Sequence, residues 1–322
     1  MQPGQPNSST AASNSGLPPV EPPSGRFIAQ LFVVPGLIVL VVVMVLMGLF
    51  YLTSRQSPEY FLRQLDSDNA DIRWRGAADL AQILKRPEAG SLRWKADSHF
   101  ALELAQRLRT SLDELYRTEK ETAEQITRTE QQAQAAGRAP SPAEIDAAWR
   151  KVATLRNHVS FLASALGDLH VPVGVPLLAE MCMREQSPDL KGNTLQRRKA
   201  LWSLANLGAN TRGFTRLPAE KQAEILAALR AEGAGSEARA AWARTALFYL
   251  DGSGGSDTAI VHVDVLLARC AEAQDRYLRE QVALAFNFWD GPLAEPTLLK
   301  LARDDGHGTS IGVVGLDNGV FE

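Results

Sequence analysis

Apolar and polar positions along the chain follow two patterns. The first is a run. Between Arg26 and Arg55 the chain has no Asp, Glu, Lys or Arg. The core of this run, Leu31 to Leu52, spans roughly 33 Å as a helix, enough for the hydrocarbon core of a bilayer. Residues 27–54 therefore predict one transmembrane helix, with Pro35–Gly36 near one interface as a start or a kink. A cleaved signal peptide is the rival reading. Against it, the apolar run is long, a long tail precedes it, and no Ala-x-Ala site follows. Gly36 and Gly48 do not stand at the spacing of a GxxxG dimer face.

The second pattern is periodic. Arg156, Arg197, Arg239 and Arg279 stand at nearly equal intervals of roughly 40 residues. Each opens a grid of small or apolar residues at about +4 and often at +7: Arg197/Leu201/Leu204, Arg239/Ala243/Ala246, Arg279/Ala283/Phe286, and a weaker Arg156/Ser160/Ala163. Arg73, with Ala77 and Leu80, lies two such periods before Arg156. Helical units recurring at this interval mean stacked helix pairs.

Local signals place the helices. Pro58–Leu65 reads as a short helix, followed by the turn-and-cap cluster at 66–69 and a second helix from Ile72 to Leu84. Further helices are expected over Pro172–Met183, over a segment capped by Thr194 and stopped at Gly208, from Pro218, and from a Ser236 cap to Leu250 before Gly252. Val263–Ala273 and Arg276–Trp289 form another pair, and Glu295–Arg303 is a last, unpaired helix. Proline at helix starts and glycine after helix ends fit this plan. Almost nothing alternates with period two, so the fold class is all-α.

The second unit breaks the grid. Ser98–Tyr116 is amphipathic, but Arg117–Gly137 has only Ile126 as a large apolar residue. Its charges pair at i, i+4 (Arg117/Glu121, Lys120/Glu124, Glu124/Arg128), which supports a helix by roughly 0.2–0.5 kcal/mol each. The expectation over 117–142 is an αα-hairpin turning at Gly137–Pro142 and returning through Ala143–Leu166, a candidate contact arm. A disordered insertion is the alternative.

With these residues in view, the chain from about Pro58 to Ala302 resembles HEAT-repeat proteins, whose second helix commonly carries a basic residue followed by small and leucine-like positions. Armadillo repeats are close in period. The resemblance implies a HEAT-like α-solenoid of stacked antiparallel helix pairs over 55–303, as in membrane-anchored bacterial proteins of this kind. It also implies that Arg73, Arg156, Arg197, Arg239 and Arg279 are structural repeat positions. They would lie on the inner face of each second helix and pair with acids or turn carbonyls near Asp71, Glu237 or Asp275, linking neighbouring repeats.

Composition adds limits. Residues 1–26 are rich in Pro, Ser and Gly and predict a disordered tail; residues 304–322, with several glycines, predict a flexible C-terminal tail. A net charge of −3, from 34 basic and 37 acidic residues, argues against a nucleic-acid partner. The two cysteines, Cys182 and Cys270, read as isolated core thiols. The histidines, at 99, 158, 170, 262 and 307, share no metal-ligand spacing. Asp251–Asp257 is glycine-rich but lacks the features of a P-loop or an EF-hand. No catalytic, cofactor-binding or metal-binding residue is expected.

The expected function is thus a non-enzymatic scaffold in protein–protein interaction, contacting the lipid bilayer through 27–54. No cofactor and no small-molecule substrate are expected. Arg55, Arg63 and Arg73 against Arg26 alone favour a single-pass inner (cytoplasmic) membrane protein with its repeat domain in the cytoplasm. Two alternatives stand: an enzyme of the bilin-lyase type, since some such lyases use related repeats, and a purely structural envelope protein.

Overall fold

The computed structural model describes residues 25–53, 58–86, 93–139, 141–184, 193–253, 260–273 and 275–304. Among them no strand occurs and helices dominate. The chain divides into two units, 1–56 and 57–322.

The first unit holds helix α1, Gly25–Thr53, with Pro35 inside it. Its described side chains, 33 and 35–48, carry no charge, and the large apolar ones are 44–67% exposed. Among the described residues no helix is long and apolar enough to cross a membrane. Much of the expected span 27–54, and all of the tails 1–26 and 304–322, lie outside the described side chains.

The second unit contains α2 (Pro58–Leu65), α3 (Ala70–Lys85), α4 (Ser98–Ala135), α5 (Pro142–Gly167), α6 (Val175–Met183), α7 (Asn193–Thr211), α8 (Ala219–Gly233), α9 (Ala238–Asp251), α10 (Val263–Cys270), α11 (Arg276–Phe286) and α12 (Ala294–Asp304). Short polar side chains start several of them by accepting from otherwise unpaired amides. Asn69 accepts from Asp71 N, Asp97 from Phe100 N and Asp275 from Tyr277 N. Ser141 and Glu144 form a capping box before α5. Gly252, at φ +75°, ends α9, and Gly137, at φ +66°, turns the chain after α4. Glu237, rather than Ser236, precedes α9. The expected Thr194 cap lies outside the described side chains.

The helices pack in two rows. Helices α2, α4, α6, α10 and α12 follow one another in the first row, and α3, α5, α7 and α11 in the second. Pairs α2/α3, α4/α5, α6/α7 and α10/α11 join the rows. The exception is α8/α9. These two helices pack on each other, α8 rests against α4, and α9 rests against α4 and α6, while α7 packs directly on α11. The pair carrying Arg239 is therefore an inserted hairpin beside the rows.

Two glycines set the spacing of the second row. A Cβ on Gly167 would lie 2.7 Å from Ser203 O, so α5 meets the α7 backbone closely. Gly208, expected to stop its helix, lies inside α7, because the chain needs it for another reason. A Cβ there would lie 2.6 Å from Trp289 Nε1 and 2.8 Å from Phe288 Cβ. Helix α11 ends at Phe286, short of the expected Trp289. That early end frees the buried indole of Trp289 to donate to Leu204 O at 2.7 Å.

Alanine in a helix interior ordinarily stabilises by about 1 kcal/mol over glycine. Gly208→Ala should do the opposite and lower stability by about 1–3 kcal/mol, because the indole must move. Urea unfolding followed by circular dichroism reads the sign; a stabilised variant would show that Trp289 does not sit on Gly208.

Candidate functional site

The five arginines expected at repeat positions each tie their helix to another part of the chain. Arg73 of α3 meets Glu114 of α4 at 3.2 Å, and Arg156 of α5 meets Glu119 of α4 at 2.9 Å. Arg197 of α7 donates through Nε to Cys182 O in α6 at 2.8 Å. Arg279 of α11 donates to Ala273 O, just after α10, at 2.9 Å. Arg239 of α9 binds Glu103 of α4 at 2.7 Å and Glu232 of α8 at 2.8 Å, so it docks the inserted hairpin. Hydrogen bonds from Arg239 and then Arg107 hold Glu103 below its ordinary carboxylate value. Arg279 meets a turn carbonyl close to Asp275, as expected, whereas Arg73, Arg156 and Arg239 reach glutamates of α4. The sequence could not point to α4, whose grid is missing.

Glu119 is buried at the base of the α4/α5 hairpin between Arg156 and Arg184, the latter at 2.7 Å. Arg156 covers the ring of Trp149 and Arg184 that of Tyr116. A buried carboxylate with two guanidinium partners is a structural clamp. The outward part of this hairpin is one continuous helix to Ala135, supported by Glu124–Arg128 at 3.4 Å.

The surface best suited to hold another molecule lies between α7 and α11. It is a groove of about 210 Å³ lined by Leu195, Arg198, Lys199, Trp202, Tyr277 and Gln281. Leu195 and Tyr277 are 59% and 61% exposed. Arg198 pairs with Asp275 at 2.7 Å and stacks 4.6 Å from the Tyr277 ring centre. Trp202 sits between two exposed ammonium groups, Lys85 of α3 at 4.9 Å and Lys199 at 5.7 Å. Arg198 Nε and Gln281 Oε1 have no hydrogen-bond partner among the described residues. The groove therefore offers apolar and aromatic contact beside two exposed ammonium groups. Sequence reasoning missed it, because its two sides lie on α7 and α11, far apart in the chain.

A larger cleft, about 320 Å³, is lined by Phe214, Tyr249, Phe288 and Trp289 among others. Several of its polar atoms are already used. Tyr249 Oη donates to Val261 O and accepts from Val263 N, and Arg212 donates to Asn287 O.

Of the described histidines, His158 and His170 are buried, and His99 and His262 are exposed. Burial, helped by Arg73, pushes His158 down to about 4, so it is neutral beside the Arg73–Glu114 pair. His170 Nδ1 lies 2.7 Å from Asn210 O. The edge of His262 meets Phe248, and His307 lies outside the described residues. Among the described residues no group of three His, Cys, Asp or Glu could hold a metal. Cys182 and Cys270 are both free and buried, on the neighbouring helices α6 and α10.

No protein-family model matches the chain, and no curated protein matches it either.

At the end of α5, Asp168 is 6% exposed and its Oδ2 has no hydrogen-bond partner among the described residues. Burial pushes it up to about 6, against the pull of Lys85 and Lys95. A folded-state value above the ordinary 3.8 means that stability is full below about pH 4 and falls as pH rises to about 6. Asp168→Asn should therefore stabilise the protein by about 2 kcal/mol at pH 8 and by little at pH 4. Chemical unfolding at both pH values measures this; an equal effect at both would rule out the buried ionisation.

Proposed function

We propose that this chain is a membrane-tethered helical-repeat scaffold of the HEAT type that holds a partner polypeptide in the α7–α11 groove. The groove carries the reading. Exposed Leu195 and Tyr277 line it together with Trp202 and Lys199, and Lys85 lies 4.9 Å from the Trp202 ring centre. The partner segment has aliphatic side chains for the apolar floor and carboxylates for the lysines. The two rows of helices and the recurring arginine grid support the solenoid reading, and solenoids present long surfaces for binding.

The tether is supported by α1. From 35 to 48 it is uncharged and exposed all round, and a helix apolar on every side suits lipid. Arg55, Arg63 and Arg73 favour the cytoplasmic face of the inner membrane for the second unit. The scaffold needs no cofactor, nucleic acid or small-molecule substrate. A bilin-lyase-type enzyme would need an open His/Glu/Arg pocket. The nearest arrangement, Arg73, Glu114 and His158, has its histidine buried and neutral.

One vesicle experiment tests both halves. The full chain is reconstituted into phospholipid vesicles, floated, and offered a labelled Leu/Glu peptide or its Leu/Lys counterpart. The chain should float, and the Leu/Glu peptide should be recruited at least tenfold better, a preference that weakens with salt. The Lys199→Glu/Tyr277→Ala variant should float equally and lose that recruitment. A chain that stays at the bottom contradicts the tether. One that floats but recruits both peptides alike contradicts the groove.

A further inference from the structure

Past α12 the chain continues from Asp305, and its composition changes. Residues 305–322 include Asp305, Asp317 and Glu322 but no lysine or arginine. Their larger apolar residues are Ile311, Val313, Val314, Leu316, Val320 and Phe321. The one leucine stands directly before an acid, at Leu316–Asp317. Aliphatic side chains with carboxylates are what the α7–α11 groove suits.

The groove supplies the complement. Leu195 and Tyr277 line it and are exposed. Trp202 lies between Lys85 and Lys199, and neither lysine forms a salt bridge among the described residues. Arg198, by contrast, is committed to Asp275. Two ammonium groups beside apolar side chains are thus left to meet a carboxylate next to an aliphatic residue.

The segment also starts close by. Gly291 lies against the first turn of α10, since a Cβ there would be 2.5 Å from Asp264 Cβ. Helix α12 follows and packs on both α10 and α11. Helix α11 forms one side of the groove, and its 11 residues are about 16 Å long. Residues 305–315 can span roughly 36 Å, so Leu316 can reach the groove at any point along α11.

We infer that the chain's own residues 311–322 occupy the α7–α11 groove, with Leu316 beside Tyr277 and Asp317 at the lysines, so that a partner polypeptide must displace them. This rests on the groove reading above and gives the groove a resident competitor. A tethered segment is present at an effective concentration of about a millimolar, so a weak intrinsic affinity fills the site. The apparent affinity for a partner then falls in proportion to the time the groove is free. Acidic and basic peptides are disfavoured alike, and the preference between them is unchanged.

In detergent, the wild-type chain is compared with a chain lacking 305–322 and with full-length Leu316→Lys/Asp317→Lys. Both variants should bind the labelled Leu/Glu peptide at least fivefold more tightly than the wild type, at every chain concentration. The full-length variant keeps the comparison intact if the shortened chain does not fold. A synthetic peptide of residues 305–322 should bind the shortened chain and compete there with the Leu/Glu peptide. Adding Lys199→Glu/Tyr277→Ala to that chain should abolish the binding. Unchanged Leu/Glu affinity in both variants would overturn the inference and leave the groove reading standing. A gain that vanishes as the chain is diluted would also overturn it, because the segment would then come from a second copy. If neither variant holds the Leu/Glu peptide, the groove reading fails and the inference falls with it.

Discussion

The second unit depends on the direct seating of α7 against α11. These helices are separated in sequence by α8 and α9, yet Trp289, just past α11, donates into the α7 backbone at Leu204 over the open face of Gly208. At the other end of the contact, Asp275 caps α11 and pairs with Arg198 of α7. The second row is continuous because this contact closes over the insertion. The groove between Trp202 and Tyr277 exists for the same reason. If α9 lay between α7 and α11, Arg198 and Tyr277 would have no reason to meet.

Helix α4 is the complementary element. Glu103 and Glu114 stand about three helical turns apart and so share a face. Glu103 receives Arg239 and Arg107, Glu114 receives Arg73, and Glu119 receives Arg156 and Arg184. Partly exposed pairs of this kind each contribute little, of order 1 kcal/mol or less. The buried Glu119 is different, since losing either guanidinium leaves an under-compensated carboxylate in the interior. Burial of apolar side chains supplies the cohesion, and the arginines choose which helices lie side by side.

Much of this was legible in the sequence. Helix boundaries at Pro58, Leu65, Ser98, Met183 and Val263 fall where caps, prolines and apolar spacing put them, because those signals are local. The i, i+4 charges of 117–128 likewise marked a continuing helix. What local signals do not carry is which helices become neighbours. The Arg239 grid is as regular as that of Arg197, yet its helix docks on α4 through a contact 136 residues distant. The groove depends on the same long-range choice. Gly208 misled for a related reason: a helix-breaking residue was retained for the close approach of the Trp289 indole, which comes from beyond α8, α9 and α10 in the chain.

A double-mutant cycle on Arg198 and Asp275 tests that choice directly. Asp275→Asn keeps the helix cap and removes the charge, and Arg198→Ala removes the guanidinium. Direct packing of α7 on α11 predicts a coupling of about 0.5–1 kcal/mol in unfolding free energy at low salt, weakening as salt is raised. Strictly additive effects at low salt would mean that the two helices do not meet there, and would contradict both the continuous second row and the groove.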